Sequence, residues 1–288
     1  MKAFFIIFAV FTTQAFALQE QDEVFNKLQA LDWKKKPDNY SIAENKAIIT
    51  TTENDFLVIG KDAVEYMFIM QGSRDFSPDA AVLRVNGPEA DSQVIYRIMK
   101  IGYLTKDDWG DNIDQDKMLK EIQEGTIAAN KNRSEGYLDL FVDRWAQEPH
   151  LDRTNNTVYW AISGHDDENN QFVNAKALKL GREGYTEIVW IGNPQQFSSS
   201  EVALGGVLAN YNYNEGFKYA DYIPGTDTVA AAGVGALVYK LATGKAVAKA
   251  GAVALALVFA KKLWFLIFLP FIYLWNWIKN KFTGSQNN

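Results

Sequence analysis

The chain has 288 residues, with 29 basic against 35 acidic side chains and no cysteine. The missing cysteines exclude disulfides, thiol nucleophiles and Cys-ligated metals. The acidic balance excludes affinity for nucleic acid, which depends on Lys and Arg neutralising phosphates.

Met1-Lys2, the apolar stretch Ala3 to Phe11 and the small-x-small pattern Ala15-Phe16-Ala17 form the three parts of a secretory signal peptide, residues 1–17. Residues 18–64 read as an N-terminal leader with a helix and strands. Val24, Leu28 and Leu31 share a helical face, and Lys46 to Ile59 is expected to form a strand pair around Glu53-Asn54-Asp55. Val64 to Met70 continues in the strand style, Ala81 to Val85 is a short strand, and Ser92 to Leu104 is the candidate central strand of this half. The acidic loop from Asp107 to Asn112 suggests a hard cation, but it lacks the ligand spacing of an EF-hand, and a solvated loop is the default. Asp114 to Glu135 is the clearest helix. Asp114 caps it, Met118, Leu119, Ile122, Thr126 and Ala129 form its apolar stripe, and it is expected to end toward Gly136.

Beyond this helix the hydrophobic period changes to two. Tyr137 to Trp145, Thr157 to Ser163, Phe172 to Leu180 and Tyr185 to Gly192 are strands joined by short turns, followed by a helix over Ser198 to Asn210. Residues 65–226 therefore read as an exported α+β domain, an antiparallel sheet meander with one or two packed helices. From Asn210 to Tyr222 the aromatics recur mostly at every second residue. Such a strand either covers the sheet with its rings or offers an aromatic collar or partner-binding edge, with Tyr211, Tyr213, Asn214, Glu215, Tyr219 and Asp221 as the candidate interaction surface.

No Asp or Glu follows Asp227, while seven lysines do. Subtracting those seven from 29 leaves 22 basic against 35 acidic residues up to Asp227, a balance of −13. Residues 227–282 carry three apolar runs, Val229 to Leu241, Ala250 to Ala260 and Leu263 to Ile278, and read as a transmembrane helical anchor that crosses once or as a hairpin. The last run is framed by Trp264, Trp275 and Trp277, with Lys261 and Lys262 before it and Lys279 and Lys281 after it, as expected for side chains at the membrane interface. Residues 283–288 are a polar tail. If these lysines mark the cytoplasmic side of an inner membrane, the anchored domain is expected on the exported, periplasmic side.

Catalytic patterns are scarce. His150 and His165 read as surface turn histidines, and Ser198-Ser199-Ser200 as a helix start. There is no G-x-S-x-G elbow and no phosphate-binding or dinucleotide-binding glycine motif. No catalytic, metal or cofactor residue is assigned. The carboxylates Glu121, Glu124 and the Asp107 to Asp116 cluster leave open a hydrolase working through an acid pair.

Four motifs stand in order: Glu121 to Tyr137 (EIQEGTIAANKNRSEGY), Arg144 to Ala161 (RWAQEPHLDRTNNTVYWA), Leu180 to Tyr185 (LGREGY) and Tyr213 to Val238 (YNEGFKYADYIPGTDTVAAAGVGALV). Together they resemble the bacterial membrane-anchored proteins of domain of unknown function family 2167. The resemblance implies a bacterial envelope protein with a signal peptide and a C-terminal membrane segment, and no activity. The favoured expectation is an envelope module whose partners are the lipid bilayer and another envelope protein; the alternative is the membrane-anchored hydrolase.

Overall fold

Period-two alternation dictates most of the architecture, because successive side chains of a strand leave the sheet on opposite faces. The computed structural model describes residues 23–71, 77–87, 90, 92–131, 138–198 and 207–245. In chain order the elements are β1 (Asn39–Ile42), β2 (Ala47–Thr50), β3 (Asp55–Ile59), α1 (Lys61–Gln71), β4 (Ala80–Arg84), β5 (Gln93–Lys100), α2 (Trp109–Asn112) and α3 (Gln115–Asn130). They continue with β6 (Leu140–Asp152), β7 (Thr157–Asp166), β8 (Gln171–Gly181), β9 (Gly184–Gly192), α4 (Pro194–Ser198), β10 (Tyr211–Tyr213), a 3-10 turn (Tyr219–Asp221) and α5 (Val234–Thr243). The strands form a seven-stranded sheet in the order β3-β4-β5-β9-β8-β7-β6 and a three-stranded sheet in the order β1-β2-β10. All described strand pairs are antiparallel. The chain is thus α+β, and the meander expected from the second half of the sequence is the β6-β7-β8-β9 run.

The middle strand, β9, is buried along its whole length and joins the meander to β5. One face of the large sheet presents Val173, Ala175, Ala177, Ile188 and Trp190 to Ala47, Ile49 and Tyr211 of the small sheet. The other face has two helical covers. α3 and α5 bring Met118, Ile122, Leu237 and Leu241 onto Trp160, Leu178 and Leu180. α1 brings Ala63, Tyr66 and Met67 onto Ala81, Ile95 and Val189.

Strand parity puts three charged residues on that second face: Arg97 of β5, Glu187 of β9 and Lys176 of β8. Glu187 accepts from Arg97 Nη2 at 2.6 Å, and its other oxygen is 2.9 Å from Lys176 Nζ. Glu187 is 0% exposed and Lys176 3%. Burial alone would raise the Glu187 carboxyl, but the two cations outweigh it and hold it low. Burial pushes the Lys176 ammonium down to about 8, against the pull of Glu187.

The outer strand β6 is protected by side chains of α3. Gln123 Nε2 donates to the carbonyls of Val142 and Asp143, both at 3.1 Å, and Asn130 donates to Leu140 O and accepts from Leu140 N–H. Covering exposed strand groups in this way blocks edge-to-edge pairing.

Several sequence expectations are corrected here. β2 and β3 do not pair with each other: β2 lies between β1 and β10, and β3 beside β4. The short link between them crosses from one sheet to the other, and Asp55 pins it by accepting from the Thr52 amide and hydroxyl. Val64 to Met70 is helical, because Ala63, Tyr66, Met67 and Met70 fall at helical spacing and bury together. β1, β2 and β3 belong to the two sheets, and Leu28 and Leu31 pack with α1. α3 stops at Asn130, where its side chain turns to Leu140, and not at Glu135. Pro194–Ser198 and residues 207–209 are helical, and residues 199–206 lie outside the described part.

The first apolar run of the tail also belongs to this domain. Val234, Leu237, Val238 and Leu241 of α5 are core residues, so the folded part extends beyond Asp227. The expected solvated loop supplies the cap of this helix. Asp108 accepts from the amides of Gly235 and Ala236, each at 2.9 Å. A Cβ on Gly235 would come within 2.5 Å of Asp108 O, which explains glycine at that position. No helix among the described residues is long and apolar enough to cross a membrane. The signal peptide and the runs Ala250 to Ala260 and Leu263 to Ile278 lie outside the described residues.

Glu187→Ala leaves two cations buried without their shared anion and is expected to cost about 3–5 kcal/mol in urea unfolding, whereas Lys176→Met is expected to be near neutral. In the window from about 8 to 10.5 the unfolded lysine keeps its proton while the folded one sheds it, so wild-type stability should rise with pH relative to Lys176→Met. Equal pH profiles for the two proteins would refute the buried-ammonium account.

Candidate functional site

β8 and β9 are joined by Arg182 and Glu183, set between the paired Gly181 and Gly184. Both turn residues reach other segments. Arg182 holds Asp227 through two parallel bonds, Nε to Oδ2 and Nη2 to Oδ1, each 2.8 Å. A guanidinium fork on a carboxylate fixes orientation as well as distance. This bond holds the Asp227 carboxyl below its usual range and raises Arg182. Asp227 Oδ2 also accepts from the Ile223 amide at 2.7 Å. Glu183 pairs with Lys46, and its carbonyl accepts the amides of Ile101 and Gly102 at 3.1 and 3.0 Å.

From this anchorage the segment 222–235 crosses the end of β5 as a strap. Tyr103 donates its amide to Thr228 O at 2.8 Å and accepts the Ala230 amide at 2.9 Å, a parallel bridge to Val229. The close approach depends on Gly102. Its φ is +94°, and a Cβ there would lie 2.8 Å from Ala230 N and 2.9 Å from Thr228 O.

Three tyrosines stack beside the strap. The Tyr103 ring lies 4.5 Å from Tyr219 and 3.9 Å from Tyr222, at 25° and 17° to them. Lys106 Nζ sits 4.7 Å from the Tyr219 ring centroid and donates to Asn156 Oδ1 at 2.7 Å. Burial and then the nearby Arg153 charge lower this ammonium. Tyr219 donates to Leu104 O at 2.8 Å, and burial pushes its phenol up. The strap leaves Ile223 47% and Val229 48% exposed; among the described residues the only other large hydrophobic so exposed is Ile127 at 52%. The result is an apolar, aromatic-backed face whose backbone is fixed.

Of the residues nominated from the sequence, Tyr219 and Asp221 lie at this face, Asp221 accepting from the Lys218 amide at 2.9 Å. Asn214 is turned to Asn45 O at 2.7 Å, and Glu215 is exposed nearby in sequence. Tyr211 and Tyr213 point inward: both hydroxyls meet Thr186, and Tyr211 stacks on Tyr96 with centroids 5.7 Å apart. Their rings cover the sheet and line no surface. Trp264, Trp275, Trp277, Lys261, Lys262, Lys279 and Lys281 lie outside the described residues.

His165 Nδ1 is 2.9 Å from Asp143 and its ring stacks on Phe141, while His150 tilts against Tyr159. Three of the carboxylates considered for a hydrolase are tied into the fold: Glu121 accepts from Tyr239 Oη at 2.6 Å, Asp108 caps α5, and Asp114 caps α3, whereas Asp107, Asp111, Asp116 and Glu124 are exposed. Among the described residues no three His, Cys, Asp or Glu side chains are grouped to hold a metal. Sequence reasoning missed Tyr103, Lys106 and the Arg182–Asp227 pair. The pair sits within two quoted motifs, Leu180 to Tyr185 and Tyr213 to Val238, so opposite charges in neighbouring motifs were the available signal.

Gly102→Ala is expected to lift the strap from β5, lowering the near-ultraviolet circular dichroism of the stacked tyrosines and speeding amide exchange at Thr228 to Ala230. Unchanged exchange there would refute the close-approach account.

A search of curated proteins returned no match to this chain. Among solved structures, the chain is similar to the cyanobacterial PsbP (CyanoP) of Synechocystis sp. PCC 6803 at 11% identity, covering 63% of this chain and 94% of that one, with a TM-score of 0.38. The sequence profile of the family described as protein of unknown function DUF2167 matches residues 34–272, a span that takes in both sheets, the Arg182–Asp227 anchorage, the tyrosine stack and α5. The chain belongs to the protein family of unknown function DUF2167.

Proposed function

We propose that this protein is an exported envelope module, tethered to a membrane by the residues that follow α5, and that it works by surface contact through the strap and its tyrosine stack. The observation that carries this reading is the strap itself. Ile223 and Val229 stay about half exposed while the backbone that bears them is fixed by Arg182–Asp227 and by the bridge to Tyr103. Apolar side chains held outward on a rigid backbone lose little conformational freedom on contact, which favours association. The export signal in residues 1–17 and the lysine-framed apolar run Leu263 to Ile278 support the compartment and the tether.

The test is site-specific photocrosslinking in the full-length protein in its native membrane, with the photoreactive side chain at 223, 229 or 127. Adducts to protein or lipid are expected at positions 223 and 229 and not at 127, the equally exposed site on α3. No adduct at 223 and 229, or the same yield at all three, would overturn the contact reading.

A further inference from the structure

We propose that the strap from Tyr222 to Gly235, together with Tyr103, is the face that the domain lays against the interfacial zone of the lipid bilayer. This inference rests on the tether and contact reading above and names the occupant of that face.

Charge is the first argument. Between Tyr222 and Gly235 the only charged residue is Asp227. Both its oxygens are engaged, Oδ1 with Arg182 and Oδ2 with Arg182 and the Ile223 amide. The strap can therefore enter a zone of lower dielectric without stranding an ion, the costly event in such a transfer. Through Asp227 the chain has a balance of −13, so a stretch this free of unpaired charge is a local exception. Ile127 offers the contrast: Glu124 lies one turn before it on the helix and Lys131, the C-cap, one turn after it.

The side chains on and around the strap suit an interface. Ile223 and Val229 provide the apolar contact. Tyr103 and Tyr222, half-buried and stacked at 3.9 Å, have the amphipathic rings that settle at headgroup level. Lys106, next to the stack, and the exposed Lys218 and Arg153 have long stems that can reach anionic headgroups, although the exposed Asp107 opposes them in part.

Reach is the final argument. From Lys245, the last described residue, to Leu263, where the last apolar run starts, the chain advances 18 residues. Fully extended, that link spans at most about 65 Å. A domain held so close meets the bilayer as an intramolecular neighbour, so even a weak face contact is populated.

The chain has no cysteine, so one introduced thiol reports one position. Ile223→Cys, Val229→Cys and Ile127→Cys, each in the full-length protein, would be labelled with a polarity-sensitive fluorophore and reconstituted into phosphatidylethanolamine and phosphatidylglycerol vesicles. Part of the lipid would be brominated near the top of the acyl chain. The proposal expects blue-shifted emission and quenching by brominated lipid at 223 and 229, with neither at 127. Emission at 223 and 229 matching 127, without quenching, overturns it. If photocrosslinking in native membranes then joins 223 and 229 to a protein, the contact reading stands and only the lipid assignment falls. If neither experiment shields these positions, both fall.

Discussion

At the tip of the β8–β9 hairpin two residues of opposite charge face separate parts of the chain. Arg182 holds Asp227 of the strap, while Glu183 takes the amides that follow β5 and the ammonium of Lys46. A hairpin with this little slack transmits the position of the sheet centre directly to its tip. The strap takes its place from that tip together with the bridge to Tyr103, and the entry to α5 is set by Asp108. Without the tip, the strap would lose its hold at Asp227 and keep only the Tyr103 bridge ahead of α5.

Behind the tip, on the same two strands, lies the Arg97–Glu187–Lys176 group. A buried ion group of this kind contributes little net stability against an apolar alternative of similar volume. It sits where the two helical covers of the sheet leave a polar interval, with α3 and α5 on one side and α1 on the other. Its geometry demands that β5, β8 and β9 align in one register, since Arg97 pairs directly with Glu187 across the ladder. The charges therefore act on the accuracy of the sheet, and the sheet carries the hairpin tip.

Much of this was legible in the sequence, and what was legible was local. The meander could be read from alternation and turn composition, and α3 from the Asp114 cap and its apolar stripe, because those signals lie within a few residues of one another. The separation of β2 from β3 was not legible, since both are short β-branched strands and only their partners, at Tyr211 and Ala80, distinguish them. α1 read as strand because Val64 to Met70 is apolar nearly throughout, and period is weak evidence in short apolar runs. α5 read as membrane because a helix buried on most sides has the composition of a lipid-facing one. Little of the proposed surface was found in the sequence. Tyr219 stood out by the spacing of the aromatics, whereas Ile223 and Val229 were not nominated, and Tyr103 lies more than a hundred residues away and joins Tyr219 only through the fold.

The clasp at the start of α5 has a mechanical consequence. Any load applied through the residues after Lys245 enters the domain at the C-terminal end of that helix, where Lys245 lies 3.5 Å from Glu121 and Tyr239 bonds the same carboxylate. At the other end, about 15 Å away along the axis, Asp108 grips the first amides of the helix. The buried side of α5 lies between these two holds, so a pull along its axis must shear the whole interface at once and cannot peel it one contact after another. The helix behaves as a bolt seated in the body of the domain, and a tugged tail drags the domain with it before the helix slides.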